Sequence, residues 1–280
     1  MKIQYLGTAA AEGMPALFCD CPACTYARKN GGKDLRTRSQ ALIDGKLLID
    51  FPPDTLSHCL SFGLDLTKIK NCLITHTHED HLYYEDLFMR QPGFSNMGWE
   101  NPFMIYGSEG AMKSIDEYLG GRIEKPERIL KTNTLQLYKE TVIDEFKVTA
   151  LRARHAENTN PVFYIIENAE GKRLMYANDT HYFFDEVWEY LEQNPVHLDF
   201  VSLDCTSANA PEMTYIGHMN LKDNVKAKER LIKIGCADEK TRFCSHHFSH
   251  NGDDVLYDTF SKIAEKENFL TSYDGMIVEF

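Results

Sequence analysis

Short apolar runs recur along the chain and alternate with stretches of helical periodicity. The runs are typical of β-strands, and they occupy residues 2–6, 46–50, 71–75, 103–107, 146–153, 162–166, 173–177, 200–204 and 276–280. The clearest predicted helices cover 54–63, 108–119, 183–194 and 221–235, the last with lysines near its end and Gly235 at its stop. This alternation predicts an α/β fold.

The arrangement of the predicted strands favours mixed sheets. Strands outnumber what a simple alternating parallel sheet needs, and TLQLYKE is followed closely by FKVTALRA, as in a hairpin. We therefore expect two mixed sheets flanked by helices. Without a fixed-period repeat, a low-complexity tract or a Gly/Ser linker, residues 1–280 are predicted to form a single domain. The turn-rich segment 89–102 is predicted to form a rim or lid.

Composition and charge narrow the classes of partner. A hydrophobic content of 43% in 280 residues predicts a sizeable buried core. No apolar run of about 18 residues occurs, and no basic segment precedes an apolar one at the start, so we expect a cytoplasmic protein without a membrane partner. A formal net charge of −12 weighs against nucleic acid, whose phosphates are bound by clustered Lys and Arg.

Potential metal ligands crowd the segment LITHTHEDH, directly after an apolar run expected to end at Thr75. His76 and His78, two residues apart, can converge on one ion, while Asp80 and His81 can face a second ion beside it. Accidental histidines in an exposed loop are the alternative. With only 11 histidines in the whole chain, three of them beside an aspartate make that alternative improbable.

Two metal ions need more ligands than this segment supplies, and later strand ends offer three. His155, Asp179 and His247 each follow an apolar run. Taken alone, each of them would be interpreted as a structural residue, but together they complete two coordination shells. Asp179 can bridge both ions through its two oxygens, which holds them roughly 3.5–4 Å apart in two-metal hydrolases. Neighbouring side chains on a strand point in opposite directions, so only one of His246 and His247 is expected to enter the site. The choice of His247 rests on its spacing to His250, which matches the family resemblance described below.

These residues resemble the signature of the metallo-β-lactamase superfamily. The pattern HTHEDH, followed by His155, by Asp179 in YANDT and by His247, matches HxHxDH and its partners over nearly the whole chain. The resemblance implies an αβ/βα sandwich and a supporting aspartate, matched by Asp50. It also implies one ion held by His76, His78, His155 and Asp179, and the other by Asp80, His81, Asp179 and His247.

A second metal motif lies in CDCPAC, where Cys19, Cys21 and Cys24 supply three thiolates on one short loop. A tetrahedral structural zinc needs a fourth ligand, and His250 in SHHFSH is the candidate. A disulfide would leave one thiol unpaired, and a reducing cytoplasm disfavours it. A redox-active or simply exposed cysteine loop is the alternative interpretation.

The two motifs together resemble a branch of the superfamily. CDCPACTYARKNGGKDLRTRSQALI, with HHFSH late in the chain, is similar to the phosphodiesterase accessory to the carbon–phosphorus lyase pathway, a phosphoribosyl cyclic phosphodiesterase. The resemblance implies a structural zinc on the CxCxxC loop and a late histidine. It also implies hydrolysis of cyclic phosphodiesters.

We assign Asp80 and His218 to catalysis. Two divalent ions, for which the donor types suit zinc, manganese or iron, would share a bridging hydroxide that attacks a small cyclic or nucleotide-like phosphodiester. His218, in the turn TYIGHMN, is assigned as general acid or phosphate contact, and Asp204 could orient it. Arg36 and Arg38 are expected to be solvated rather than to contact substrate.

Other functions use the same residues. Lactone or carboxylic ester hydrolysis needs the same metal site but no phosphate-contacting histidine. A non-hydrolytic metal-binding or cofactor-pathway protein is a third hypothesis, and a transfer-RNA 3′-processing nuclease is disfavoured by the acidic balance. A homodimer is compatible with the sequence, which does not locate an interface.

Overall fold

A computed structural model describes residues 1–96, 101–123, 126–211 and 216–280. These residues form two seven-stranded sheets. In spatial order, the first contains β14 (Ile277–Glu279), β1 (Lys2–Gly7), β2 (Gln40–Ile43), β3 (Leu47–Ile49), β4 (Asn71–Leu73), β5 (Phe103–Gly107) and β6 (Leu130–Thr134).

The second sheet has a matching pattern. In spatial order it contains β13 (Phe269–Thr271), β12 (Arg242–His246), β11 (Phe200–Asp204), β10 (Arg173–Ala177), β9 (Val162–Glu167), β8 (Phe146–Arg152) and β7 (Glu140–Ile143). In each sheet, one half is antiparallel and the other parallel, with the change at β3 and at β10. Parallel strands need covered faces, so helices are expected on the outer side of each sheet.

Seven α-helices in the described part of the chain supply that cover. They are α1 (Pro22–Asn30), α2 (Thr55–Phe62), α3 (Tyr84–Phe88), α4 (Glu109–Leu119), α5 (Asp185–Gln193), α6 (Leu221–Lys233) and α7 (Tyr257–Lys266). Side chains cap the N-terminal ends of several of these helices. Ser108 Oγ accepts from the backbone of Ala111 at the start of α4, and Asn220 caps α6 in the same way.

Three apolar layers hold these elements together. The central layer packs the inner faces of both sheets against each other, for example Tyr5 on β1 against the cluster that includes Tyr164 and Phe200. A second layer places Trp188 of α5 and its neighbours on the outer face of the second sheet, and a third does the same with Ile115 of α4 on the first. The order of layers is therefore helix, sheet, sheet, helix.

The observed architecture confirms the predicted α/β sandwich of two mixed sheets flanked by helices. Several boundaries differ from the predicted ones by one or two residues, and β4 ends at Leu73 rather than at Thr75. The backbone N–H of Thr75 donates to the carboxylate of Asp50, 2.8 Å away, instead of continuing the strand ladder. Residues 97–100 of the predicted rim segment lie outside the described residues. Each described helix is too short or too polar to cross a membrane.

Substituting Gly7 should destabilise the fold strongly. The β1–β2 register shifts between Tyr5 and Gly7, and an added Cβ at Gly7 would collide with the backbone carbonyl oxygen of Arg38. We expect Gly7→Ala to lower the free energy of unfolding by about 3 kcal/mol, measured by urea titration.

Gly45→Ala is the matched control for this substitution. Gly45 has φ +69°, and a Cβ added there would meet nothing within 4 Å, so only backbone strain opposes alanine. That strain costs about 1 kcal/mol. Equal losses for the two variants would contradict a steric role for Gly7.

Candidate metal centre

The candidate ligands lie just past strand ends at one edge of the sandwich. His76 follows β4, His155 follows β8, Asp179 follows β10 and His247 follows β12. Within the second sheet, β8, β10 and β12 run in the same direction because two antiparallel steps separate β8 from β10. The fold therefore brings together the residues that the sequence pattern singled out.

Three imidazoles form the first cluster. Nε2 of His76 lies 2.9 Å from Nδ1 of His78, and Nε2 of His155 lies 3.2 Å from that same atom. Oδ1 of Asp179 lies 3.8 Å from Nε2 of His155. Three nitrogens and one oxygen converging in this way are a donor set that suits a catalytic zinc or a similar divalent ion.

The second cluster shares Asp179. Oδ2 of this residue lies 3.0 Å from Nε2 of His81 and 3.1 Å from Nε2 of His247. Oδ2 of Asp80 lies 3.2 Å from Nε2 of His81. The two oxygens of Asp179 thus face different clusters, which is the placement that a ligand bridging two ions requires.

Buried atoms without hydrogen bonds provide the test of whether metals fit. Among the described residues, Nε2 of His81, Nε2 of His247 and Oδ2 of Asp179 are buried and lack a hydrogen-bond partner, although both nitrogens lie within 3.1 Å of that oxygen. Such groups are costly to bury unsatisfied. Their lone pairs converge without hydrogen-bond geometry, so the residues fit a metal.

The backbone at this edge is held in an unfavourable conformation. Asp50, Asp179 and His247 all have positive φ, at 65°, 45° and 63°. Non-glycine residues pay about 1 kcal/mol or more for the left-handed region, and such strain concentrates at functional sites. In this conformation Asp179 and His247 turn into the cavity directly after a strand, and Asp50 turns toward His81.

Asp50 supports the second cluster through a hydrogen bond to His81. Its Oδ2 accepts from Nδ1 of His81 at 2.7 Å, and its Oδ1 accepts from the backbone of Thr75 at 2.8 Å. The first bond fixes the tautomer of His81, leaving Nε2 to face the cluster. Asp50 is fully buried, and burial raises its pKa although the neighbouring imidazole opposes that rise.

A buried hydrogen-bond chain fixes Asp50 in turn. The Gln40 side chain donates to the carbonyl oxygen of Asp50 at 2.9 Å and accepts from Nδ1 of His58 at 2.6 Å. Nε2 of His58 lies 2.7 Å from Oγ1 of Thr37. Burial lowers the pKa of His58 to about 4, so this imidazole stays neutral at neutral pH.

His218 lies beside the clusters and is oriented by Asp204. Its Nδ1 donates to Oδ2 of Asp204 at 2.7 Å, and the Asp204 carboxylate also accepts from the backbone of Met219. Burial alone would lower the pKa of His218, but the Asp204 carboxylate outweighs it and raises the pKa to about 9. Because Nδ1 is engaged, proton exchange with a substrate would run through Nε2.

The three loop cysteines and His250 form a separate cluster. Sγ of Cys19 and Sγ of Cys21 each lie 3.6 Å from Nδ1 of His250, and all four donor atoms lie within 4.8 Å of one another. Backbone N–H groups donate to the sulfurs of Cys21 and Cys24. Despite burial, the bond from Cys24 N lowers the pKa of Cys21 to about 6, whereas burial raises that of Cys24 to about 11.

A cavity of about 300 Å³ opens over the first and second clusters. Its described lining contains no Lys or Arg, and it includes His78, Asp80, His155, Asp179, His218 and His247 together with Glu12, Thr206, Ser249 and Asn251. The last four residues were not anticipated from the sequence. Thr206 and Ser249 closely follow β11 and β12 but carry hydroxyl groups, whereas Glu12 and Asn251 lie farther from a strand end, so only the proximity of their loops to the metal segment would have indicated them.

The expectation that Arg36 is solvated is wrong. Arg36 is buried, only 2% exposed, rather than solvated. Its guanidinium donates to Oγ1 of Thr8 and to the carbonyl oxygen of Ser272, and it stacks over the ring of Phe248 at 4.4 Å. Arg38 is partly exposed and pairs with Asp54 at 3.2 Å. Thr214 and Tyr215 of the turn before His218 lie outside the described residues.

Comparison with known sequences identifies relatives. A family model described as "Beta-lactamase superfamily domain" matches residues 46–247. Coenzyme PQQ synthesis protein B of Methylobacterium radiotolerans is 30% identical over 129 residues. That match spans 41% of this chain and 40% of the length of the relative.

Solved structures with the same fold cover the whole chain. A diphosphatase from the PhnP family is 21% identical with a TM-score of 0.73, covering 100% of this chain and 97% of its own. Zinc-bound PqqB from Methylobacterium extorquens is 18% identical with a TM-score of 0.73, covering 100% of both chains. At these identities the likeness concerns the fold.

The neutral state of His58 should make stability depend on pH. Its folded pKa lies below the unfolded value of about 6.5, so its contribution is complete above pH 6.5 and is lost as the pH falls through about 4. Relative to His58→Gln, wild type should lose roughly 3 kcal/mol of unfolding free energy between these limits, measured by urea titration. A difference independent of pH would contradict a buried neutral imidazole.

We expect the cysteine cluster to hold one zinc ion that is separate from any metal at the first and second clusters. Cys24→Ser removes one of its four donors, so we expect one zinc fewer per chain by elemental analysis and a lower thermal midpoint. Cys59→Ser, on α2 and outside any described ligand cluster, is the matched control. Unchanged zinc content in Cys24→Ser would refute a structural zinc.

Proposed function

The chain belongs to the beta-lactamase superfamily, and we propose that it is a dinuclear metal-dependent hydrolase that cleaves small phosphodiesters. The observation that carries the proposal is the position of His218. The histidine is hydrogen-bonded to Asp204 and lines the same cavity as both ligand clusters. A proton donor at this position can protonate the alkoxide that departs from phosphorus.

The ligand sets supply the metal part of this proposal. His76, His78, His155 and Asp179 would hold one ion, and Asp80, His81, Asp179 and His247 the other. Divalent ions in such a site provide Lewis acidity and a water of lowered pKa, and zinc and manganese are both suited to these donors. The protein holds the ligands in place through hydrogen bonds. Asp50 accepts from His81, and the Gln40 side chain donates to the backbone carbonyl of Asp50.

We assign proton transfer to the His218–Asp204 pair. The Asp204 carboxylate stabilises the protonated imidazole and fixes its ring orientation, and it does so from a fully buried position. Protonated His218 would donate through Nε2 to the leaving oxygen, so that the alcohol departs neutral. The His218 side chain is 12% exposed, which leaves contact with the cavity while limiting exchange with bulk water.

The size and charge of the cavity support a small substrate. A volume of about 300 Å³ admits a nucleotide-sized or smaller phosphodiester. The formal net charge of −12 and the lack of Lys and Arg in the described lining disfavour a long nucleic acid, whose phosphates need cations along the path. Phosphoryl transfer is also consistent with the fold similarity to a PhnP-family diphosphatase.

A role in cofactor synthesis is the second candidate. The match to coenzyme PQQ synthesis protein B, 30% identical over 129 residues, favours it, and the zinc-bound PqqB structure shares the fold. Under this hypothesis the metal site need not hydrolyse a phosphodiester at all. Protein fully loaded with metal would then show no turnover of phosphodiesters or lactones.

Removal of His218 should affect substrates according to their leaving groups. His218→Ala should lower kcat on a ribose cyclic phosphate by about 10²–10³-fold, because a sugar alkoxide needs a proton to depart. The loss on bis(p-nitrophenyl) phosphate should be less than about tenfold, because nitrophenolate leaves without one. His197→Ala, at an exposed position, is the control.

Each outcome separates the hypotheses. Equal losses on both substrates would assign His218 to phosphate contact instead of acid catalysis. Turnover of a chromogenic lactone alone, insensitive to His218→Ala, would replace the phosphodiesterase proposal by acyl hydrolysis. Elemental analysis of every sample ensures that lost activity does not reflect lost metal.

A further inference from the structure

Glu12 places a carboxylate in the wall of the cavity, away from the metal ligands in sequence. It lies in the loop after β1, is only partly exposed, and lines the same cavity as Asp179 and His218. The metal-site assignment gives this residue no role. A charged side chain in a substrate cavity nevertheless affects which substrates enter.

The position of the Glu12 carboxylate is fixed from one side. Its Oε1 accepts from Oγ of Ser249 at 2.9 Å and from Nδ2 of Asn251 at 3.2 Å. Both donors belong to the segment that follows His247. The backbone of Ala10 donates to the carbonyl oxygen of Phe248 at 3.0 Å, which ties the two loops together. Glu12 is therefore held in the wall of the cavity rather than free to swing into solvent.

The other oxygen of this carboxylate is unused by the protein. No described residue donates a hydrogen bond to Oε2 of Glu12, and no described Lys, Arg or His forms an ion pair with it. The described lining of the cavity also contains no Lys or Arg. An ionised carboxylate only accepts hydrogen bonds, so it attracts hydroxyl and ammonium groups and repels a second anion.

We propose that Glu12 is a specificity-determining residue that selects phosphodiesters whose second ester group carries a hydrogen-bond donor and no further negative charge. This inference rests on the proposed function. The metal ligands and His218 would receive the single charge of the diester at one side of the cavity. Glu12 then accepts from a hydroxyl or ammonium of the ester group that does not react.

Binding of analogues tests this without turnover. The probes are methylphosphonate esters with 2-aminoethyl, 3-hydroxypropyl, ethyl and 2-carboxyethyl groups, titrated calorimetrically into protein of known metal content. Wild type should bind the two donor-bearing probes about tenfold or more tightly than the ethyl probe, the effect of one charge-assisted hydrogen bond. The carboxyethyl probe should bind most weakly.

Glu12→Gln isolates the charge. Glutamine retains an oxygen for Ser249 and Asn251, so the loop contact is preserved while the negative charge is removed. The ratio of aminoethyl to carboxyethyl affinity should fall at least about tenfold in this variant. Glu12→Leu should in addition abolish the preference for the hydroxypropyl probe. Glu189→Gln, exposed on α5, is the matched control.

Turnover of the corresponding p-nitrophenyl diesters separates two kinds of failure. Wild type that binds the probes with the predicted order but hydrolyses none of the diesters would refute the proposed function and leave the selectivity of Glu12 intact. Wild type that hydrolyses all four diesters with equal kcat/KM would refute the role of Glu12. An order of affinities unchanged by Glu12→Gln would refute it as well.

Discussion

The site depends on one buried carboxylate that two groups of imidazoles share. Asp179 directs Oδ1 toward His155 and Oδ2 toward His81 and His247, and it is only 3% exposed. A carboxylate at this depth is costly unless positive charge or metal ions surround it. Both candidate ligand sets are therefore incomplete without this residue. The sandwich fold serves the site by delivering strand ends from both sheets to it.

Support for this carboxylate and its partners comes from groups that never reach the cavity. Asp50 fixes His81, and Gln40 fixes the backbone of Asp50 in its left-handed conformation. Asp204 does the same for His218. Such supporting hydrogen bonds keep ligands in a single orientation before a metal or substrate arrives, so less reorganisation is needed when it does.

Local pattern was enough to predict the sheet architecture and to select the candidate ligands, because each ligand follows an apolar strand in the sequence. Interactions between distant residues could not be predicted in this way. The chain from Thr37 through His58 and Gln40 to Asp50 depends on side-chain directions in three elements. The burial of Arg36 also follows from packing, since the ring of Phe248, from a segment far along the chain, covers it.

The segment after β12 links the functions that we propose for separate parts of the molecule. Within five residues it supplies His247 to the catalytic cluster, Ser249 and Asn251 to Glu12, and His250 to the cysteine cluster. A zinc ion at the cysteines would fix this segment at His250. That constraint would hold the carboxylate of Glu12 and the imidazole of His247 at a constant separation, so a structural metal would contribute to both metal binding and substrate selection.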